Sequence, residues 1–294
     1  MRIPVFVGAG VAIVTPFKGD GVDFEKMEEL IEFQIKGGID SITVCGTTGE
    51  ASTMPDKEHV ETVKFTVEKV NGRVPVVAGA GSNDTKHAIE LSKKIESVGV
   101  DALLSVNPYY NKTTQKGLVA HYKMIAASVK LPIILYNVPA RTNLNILPET
   151  MGELSKIENI AGVKECNLDQ VGDVINCCEQ DFAIYSGEDA NILPLMVWGG
   201  IGVISVMANI IPKDTHDICA KYFAGDIEGA RKISLKTLNL VKALFCEVNP
   251  IPVKEAMNQM GMNVGVGRMP LVDISPSGRE RVRKALDEYG LLKG

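Results

Sequence analysis

Cysteine and histidine are scarce in this 294-residue sequence, and their spacing excludes several kinds of site. The six cysteines form no Cys-x-x-Cys pair, and the four histidines stand singly along the chain. Metal sites and thiol redox motifs need such clusters. Nor does a Gly-x-Gly-x-x-Gly or Walker-type loop follow any apolar run. The sequence therefore predicts no bound metal and no cofactor, and thiols that stay free in a reducing compartment.

The chain has neither a large excess of one charge nor a continuous apolar segment. Thirty-one Lys and Arg oppose 36 Asp and Glu, a net charge of −5, which predicts no nucleic-acid partner. The uncharged stretch 191–212 has the length of a membrane span, but Pro194, Gly199 and Gly200 interrupt it. The first residues also lack the apolar core of a signal peptide. We therefore expect no membrane attachment and a cytoplasmic location.

The fold signal is an alternation of short apolar runs with segments of helical period. The runs are residues 11–15, 41–44, 75–78, 102–106, 132–136, 160–164, 183–186 and 202–206. They are apolar on consecutive residues, which is typical of parallel strands buried on both faces. Eight such units predict an α/β fold, a (β/α)₈ TIM barrel. A doubly wound sheet is the alternative, but it usually has fewer units and a Gly-rich phosphate loop.

The last part of the chain has helical period throughout. Apolar residues recur at helical spacing over 213–223, 227–248, 252–260 and 277–289. We therefore predict a catalytic barrel over residues 1–224 and a C-terminal helical extension over residues 225–294. No Pro-, Gly- or Ser-rich linker separates the two.

One strand end carries the most specific chemical signal. Lys164 closes the apolar run 160–164, so it would lie at the mouth of a barrel. Burial there lowers the pKa of the amine and makes it a nucleophile toward carbonyl carbons. The alternative is a structural lysine that pairs with an acid at the barrel rim.

Other strand ends bring hydroxyls, tyrosines and an arginine to the same mouth. Thr47 and Thr48 lie in a Gly-flanked turn that can hold a carboxylate, and Arg141 suits bidentate carboxylate binding. Tyr110 and Tyr136 can each carry a proton. The alternatives are capping threonines, tyrosines packed at an interface and a solvated arginine. Together with the missing metal and nucleotide motifs, the set favours Schiff-base chemistry on a keto acid.

Seven motifs, in order, resemble those of the dihydrodipicolinate synthases. They are Gly-Thr-Thr-Gly-Glu (46–50), Asn-Pro-Tyr-Tyr-Asn-Lys (107–112), Tyr-Asn-Val-Pro-Ala-Arg-Thr (136–142), Gly-Val-Lys-Glu (162–165), Tyr-Ser-Gly-Glu-Asp (185–189), Gly-Val-Ile-Ser-Val (202–206) and Asn-Pro-Ile-Pro-Val-Lys (249–254). The resemblance runs from about residue 8 to the C-terminus. It implies a lyase that condenses pyruvate with aspartate semialdehyde to 4-hydroxy-tetrahydrodipicolinate, the entry step of diaminopimelate and lysine biosynthesis.

The resemblance also implies the catalytic roles. Lys164 would form an imine with the keto group of pyruvate. Thr47, Tyr136 and Tyr110 would form a hydroxyl relay for protons, with Tyr110 reaching into the site of a neighbouring subunit. The implied assembly is a homotetramer built as a dimer of dimers.

Four further residues would bind the substrates. Thr48 would hold the carboxylate of pyruvate and Arg141 that of the semialdehyde, while Gly187 and Ile204 would line the site with backbone carbonyls. Related aldolases, such as N-acetylneuraminate lyase or a keto-deoxy-sugar-acid aldolase, share the lysine but generally have an apolar residue in place of Arg141. A non-catalytic barrel that binds a keto acid is the other alternative, and it would not need the relay.

Feedback inhibition by lysine is a separate expectation from the same resemblance. Inhibited members have a histidine and a glutamate where this chain has Asp56 and His87. A histidine that is mostly neutral at pH 7 cannot replace a carboxylate as the partner of an ammonium group. We therefore predict little or no inhibition by lysine.

Overall fold

The computed structural model describes residues 2–292, so residues 1 and 293–294, the outer ends of the two predicted regions, lie outside it. Eight parallel strands pair in chain order, and the first closes the barrel against the eighth. The predicted TIM barrel is thus confirmed. The strands are β1 Gly8–Ala12, β2 Ser41–Val44, β3 Val76–Gly79, β4 Ala102–Val106, β5 Ile133–Asn137, β6 Ile160–Glu165, β7 Ala183–Ser186 and β8 Gly202–Ser205.

The first strand begins three residues earlier than the prediction of 11–15. Gly8 and Gly10 pair with Gly202 and Ile204 of β8, and the chain leaves the sheet after Ala12. A Cβ on Gly8 would lie 2.2 Å from a carboxylate oxygen of Asp40. Apolar runs do not mark such glycines as strand residues, because it is the close packing in the barrel that requires them.

Helices surround the barrel, and a short hairpin, Phe17–Lys18 with Gly21–Val22, follows β1. The helices between strands are α1 Phe24–Lys36, α2 Asp56–Val70, α3 Thr85–Glu96, α4 Gln115–Ala126, α5 Pro139–Thr142, α6 Pro148–Ser155, α7 Val171–Cys177 and α8 Ile192–Val197. Side-chain caps fix several of their starts; the Asp23 carboxylate, for example, accepts from the amide of Lys26 before α1. No helix within residues 2–292 combines the length and the apolar character needed to cross a membrane.

The C-terminal helices are α9 Pro212–Phe223, α10 Ile227–Leu244, α11 Ile251–Gln259 and α12 Pro276–Tyr289. They match the predicted segments to within one residue, except that α10 ends four residues early. Helix α10 packs on α9 and α12, and α11 also contacts α12. The segment just before α11 reaches the mouth of the barrel, so this part of the chain helps to build the site.

Side chains along the strands alternate between two apolar layers. Ile134 and Tyr136 of β5 belong to the cluster inside the barrel, whereas Ile133 and Leu135 belong to the layer between barrel and helices. The inner cluster consists of Phe6, Ala12, Val77, Ala102, Leu104, Ile134, Tyr136, Val138, Ala183, Tyr185 and Ile204. This alternation decides which strand-end residues enter the mouth.

Candidate active site

Lys164 lies at the end of β6, inside the barrel, with 5% of its surface exposed. Its Nζ is 4.5 Å from the centre of the Tyr136 ring on β5. Burial lowers the pKa of Lys164, and the nearby Glu188 and Asp189 oppose that shift. No carboxylate within residues 2–292 forms an ion pair with it, so the rim ion pair that was its structural alternative is absent there. The amine is therefore buried, close to an aromatic face and easy to deprotonate.

Tyr136 and Thr47 meet beside this lysine. Tyr136 is 6% exposed, and burial raises the pKa of its phenol well above the usual range. A hydrogen bond with Thr47 and the charge of Arg141 act in the opposite direction. Tyrosine and threonine thus form a hydroxyl pair next to the amine, which is the geometry of a proton relay.

Thr48 and Arg141 are linked by Asn249, a residue that the sequence reasoning did not single out. The side-chain amide of Asn249 donates to the Thr48 hydroxyl at 3.0 Å, and its backbone carbonyl accepts from Nη2 of Arg141 at 3.1 Å. Thr48 is buried, while Arg141 on α5 is exposed at the mouth. The motif 249–254 is the sequence signal for this contact.

Gly187 packs against the lysine, and Ile204 belongs to the same inner cluster as Tyr136. A Cβ on Gly187 would lie 2.3 Å from the sulfur of Cys166 and 3.2 Å from Cε of Lys164. Only glycine lets the backbone pass this close. Ile204 of β8 is fully buried in the inner cluster. Cys166 is a second residue that sequence reasoning missed, and burial raises the pKa of its thiol to about 12.

Tyr110 is the one predicted catalytic residue that lies away from this group in the single chain. Its side chain is 91% exposed and its φ of 67° is left-handed. Its neighbour Tyr109 instead lines the cavity at the mouth. The structure brings together the other seven predicted residues and points Tyr110 outward.

The cavity at the mouth has a volume of about 390 Å³ and extends toward α2 and α3. Its lining includes Thr47, Tyr136 and Arg141 as well as Asp56 and His87. Asp56 accepts from His87 Nε2 at 2.9 Å, and its other oxygen accepts from Lys94 at 2.9 Å. The Lys94 ammonium, followed by His87, lowers the pKa of Asp56. Both oxygens of this carboxylate are therefore already bound within the chain.

A buried ion pair anchors the turn that carries the two threonines. Glu50 accepts from Lys254 of α11 at 2.5 Å and from the backbone amide of Arg268 at 2.8 Å. Both side chains of the pair are almost fully buried. Both residues belong to motifs that are visible in the sequence, but the contact joins positions 204 apart and is visible only in the structure. Within residues 2–292, no group of His, Cys, Asp and Glu side chains is arranged to hold a metal ion.

The fold and the site together are those of a barrel lyase. The model of the dihydrodipicolinate synthetase family matches residues 5–289, and the chain belongs to that family. It is 62% identical to the 4-hydroxy-tetrahydrodipicolinate synthase of Acetivibrio thermocellus over 99% of this chain and all of that relative.

Solved structures of the family agree with the fold closely. The dihydrodipicolinate synthase of Thermotoga maritima is 43% identical and superimposes with a TM-score of 0.96, over 98% of this chain and 100% of that one. The enzyme from Cyanidioschyzon merolae, solved with lysine bound, is 40% identical with a TM-score of 0.95, over 99% and 100%. The resemblance stated from the motifs is thus confirmed.

Proposed function

We propose that this chain condenses pyruvate with aspartate semialdehyde through an imine on Lys164. The product is 4-hydroxy-tetrahydrodipicolinate, at the entry to diaminopimelate and lysine biosynthesis. The observation that carries the proposal is the buried amine of Lys164, which faces the Tyr136 ring and has no acidic partner within residues 2–292.

The chemistry follows from the position of that amine. The neutral amine attacks the keto carbon of pyruvate, water leaves, and the protonated imine withdraws electrons from the methyl group. Loss of a methyl proton gives an enamine, whose carbon forms the new bond to the aldehyde carbon. The amino group of the semialdehyde then attacks the imine carbon, which closes the ring and releases Lys164.

Protons move through hydroxyls in this scheme. Tyrosine has an ordinary pKa near 10, and burial raises that of Tyr136 further, so the phenol stays protonated and acts only through a hydrogen-bonded partner. Thr47 is that partner, and Tyr110 of a second subunit completes the relay. The 91% exposure of Tyr110 in the single chain is what such a shared role requires.

Two carboxylates must be held while these steps occur. Thr48 binds the carboxylate of pyruvate, since Asn249 donates to its oxygen and leaves its own O–H to point elsewhere. Arg141 binds the carboxylate of the semialdehyde, because its guanidinium is exposed at the mouth and spends one contact on the Asn249 carbonyl. The backbone carbonyls of Gly187 and Ile204 line the site. An arginine at this position favours the semialdehyde as second substrate, because the semialdehyde carries a carboxylate. The second substrate of the sugar-acid lyases carries hydroxyls instead.

We also propose a homotetramer, a dimer of dimers, because Tyr110 would serve a neighbour's site. A cytoplasmic location is supported by six free cysteines, which suit a reducing compartment. The division into a barrel over 1–224 and an extension over 225–294 remains a proposal. The extension nevertheless supplies Asn249 to the site.

The direct test traps the imine. Incubation with pyruvate and borohydride should attach one reduced pyruvate to Lys164, mapped by peptide mass spectrometry. Lys254, a second buried lysine, is the internal control and should stay unlabelled because Glu50 holds its ammonium. Labelling of another residue, or none, would refute the assignment. A coupled assay with both substrates then reports the condensation itself.

A further inference from the structure

Three polar side chains follow the strand ends next to the site, and the imine chemistry uses none of them. Asn107 comes directly after β4, Asn137 ends β5 and Glu165 ends β6, and all three are buried. They lie on the outer face of the barrel, in register with the outward-facing residues of the same strands. A buried carboxylate destabilises the fold unless hydrogen-bond donors satisfy its oxygens, so the donors around Glu165 are decisive.

Glu165 is held entirely by donors. The amide of Asn137 donates to its two oxygens at 2.9 and 3.0 Å. The backbone amide of Asn167 donates at 2.7 Å and the side chain of Gln170 at 2.9 Å. Asn107 in turn donates to the oxygen of Asn137 at 3.1 Å. The three strand ends are therefore joined by one hydrogen-bonded chain.

This hydrogen-bonded network lies where the register between β5 and β6 determines which residues face each other. The first pair is Ile133 with Ile160, but the next is Ile134 with Gly162, so the pairing shifts by one residue. Beyond the shift, Tyr136 pairs with Lys164 and Asn137 pairs with Glu165. Without the shift, Tyr136 would face Val163, because side chains alternate along a strand.

We propose that Glu165 is a positioning residue that, bound by Asn137 on the outer face, selects the register that sets Lys164 beside Tyr136 on the inner face. This inference rests on the proposed role of Lys164. Backbone contacts extend the effect, since the carbonyl of Glu165 accepts from the amide of Gly187 at 2.8 Å and that of Asn137 accepts from the amide of Cys166 at 3.0 Å. The outer pair thereby fixes the backbone on both sides of the lysine.

The charge on Glu165 matters for this role. Burial raises its pKa to about 6, while its hydrogen bonds hold the shift back. A protonated carboxyl would turn an O–H toward groups that are themselves donors. Among its titratable neighbours, Cys166 follows it and feels its charge, and Lys164 precedes it in β6. Tyr122 of α4 donates to Asn107 at the far end of the network, and Asp169 lies beside Gln170 in the following turn. Ionised Glu165 accepts all of these hydrogen bonds, whereas protonated Glu165 loses at least one of them.

The experiment compares two variants at the network with one at the other end of the same strand. Glu165→Gln removes the charge and turns an amide N–H₂ toward donors. Gln170→Ala removes one donor and keeps the carboxylate. The control is Asn159→Ala, because Asn159 precedes β6 and donates to the carbonyls of Ala126 and Val129 at the opposite end of the barrel.

Glu165→Gln should lower kcat tenfold or more, and slow borohydride trapping by pyruvate to a similar extent, with a smaller change in KM. Asn159→Ala should keep kcat within twofold at a comparable loss of Tm. If Glu165→Gln does not fold, Gln170→Ala still decides, since losing a donor raises the pKa of Glu165 and should move the acid limb of the kcat profile to higher pH.

Equal acid limbs in Gln170→Ala and Asn159→Ala would overturn the proposal. So would kcat and trapping rates in Glu165→Gln that match those of Asn159→Ala. Failure of the proposed function would look different, because the wild-type enzyme itself would then not be labelled at Lys164.

Discussion

Lys164 and Lys254 are both buried, yet their surroundings differ in kind. Lys164 ends a barrel strand beside the Tyr136 ring and has no acidic partner within residues 2–292. Lys254 lies on α11 against Glu50, donates to the carbonyl of Val266 and covers the Phe17 ring. Burial lowers the pKa of both, and nearby acidic groups oppose the shift at both, but only Lys254 is in direct contact with a carboxylate, that of Glu50. Burial alone thus does not make a lysine reactive; a buried lysine that forms no ion pair is the one that can be neutral.

Removing Lys164 should have the largest effect on activity and little on stability. Lys164→Ala loses the nucleophile, so kcat should fall at least about a thousandfold. Its Tm should stay the same or rise, because no ion pair is broken. Thermal unfolding and the coupled assay check both statements, with the exposed Lys86→Ala as the active control. A variant that keeps a tenth of the activity would contradict the comparison.

Removing Lys254 should have a large effect on stability. Lys254→Met strands Glu50 as an unpaired buried charge, which typically costs about 3–5 kcal/mol of unfolding free energy. The double variant Lys254→Met with Glu50→Gln should be less destabilised, because it leaves no buried charge. Denaturant unfolding measures this. Equal losses in the single and double variants would show that packing, and not charge, is what Lys254 supplies.

Variants of Tyr110 test whether the site around Lys164 is completed by the same chain or by a second subunit. Tyr110→Phe should lower kcat about a hundredfold, within the usual range for a proton-transfer group. Mixing it with Lys164→Ala should restore activity, to about a quarter of the wild-type value if two chains pair at random. No recovery in refolded mixtures would place the whole relay within one chain.

A variant of Arg141 tests whether the carboxylates of pyruvate and of the semialdehyde are bound by different residues. Arg141→Ala removes a charge-assisted contact, which typically costs about 1.5–3 kcal/mol, so kcat/KM for the semialdehyde should fall roughly ten- to a hundredfold. Trapping of pyruvate on Lys164 should change little. The two rates are measured separately by the coupled assay and by borohydride. Equal losses in both would mean that Arg141 is structural.

The smallest expected effect is that of free lysine as an inhibitor, because the exposed residue Lys94 already binds Asp56. Lys94, with half of its side chain exposed, already occupies one oxygen of Asp56, and His87 occupies the other. Free lysine would have to displace them, so it should inhibit less than twofold at about 1 mM, the scale of a weak specific site. A titration at near-KM pyruvate measures this. Half-inhibition below that concentration would contradict the prediction.

Sequence reasoning reached the fold and the site-bearing strand ends for a clear reason. Apolar runs on consecutive residues indicate strands buried on both faces, and a polar residue at the end of such a run lies at the end of the barrel where function is expected. This pattern predicts Lys164 and Tyr136 as site residues, and the turn after the second run predicts Thr47. The start of β1 was wrong, because Gly8 and Gly10 carry no apolar signal.

What the sequence by itself determined is the set of local patterns: eight strands, the helical C-terminal part and the chemical groups at the strand ends. Only the tertiary structure decided which distant groups meet. Asn249 bonds Thr48 across 201 positions, Glu50 finds Lys254 across 204, and a one-residue shift sets Tyr136 against Lys164. The physical reason is that periodicity constrains the faces of each element, whereas register and long-range pairing depend on barrel closure and on buried polar groups finding partners.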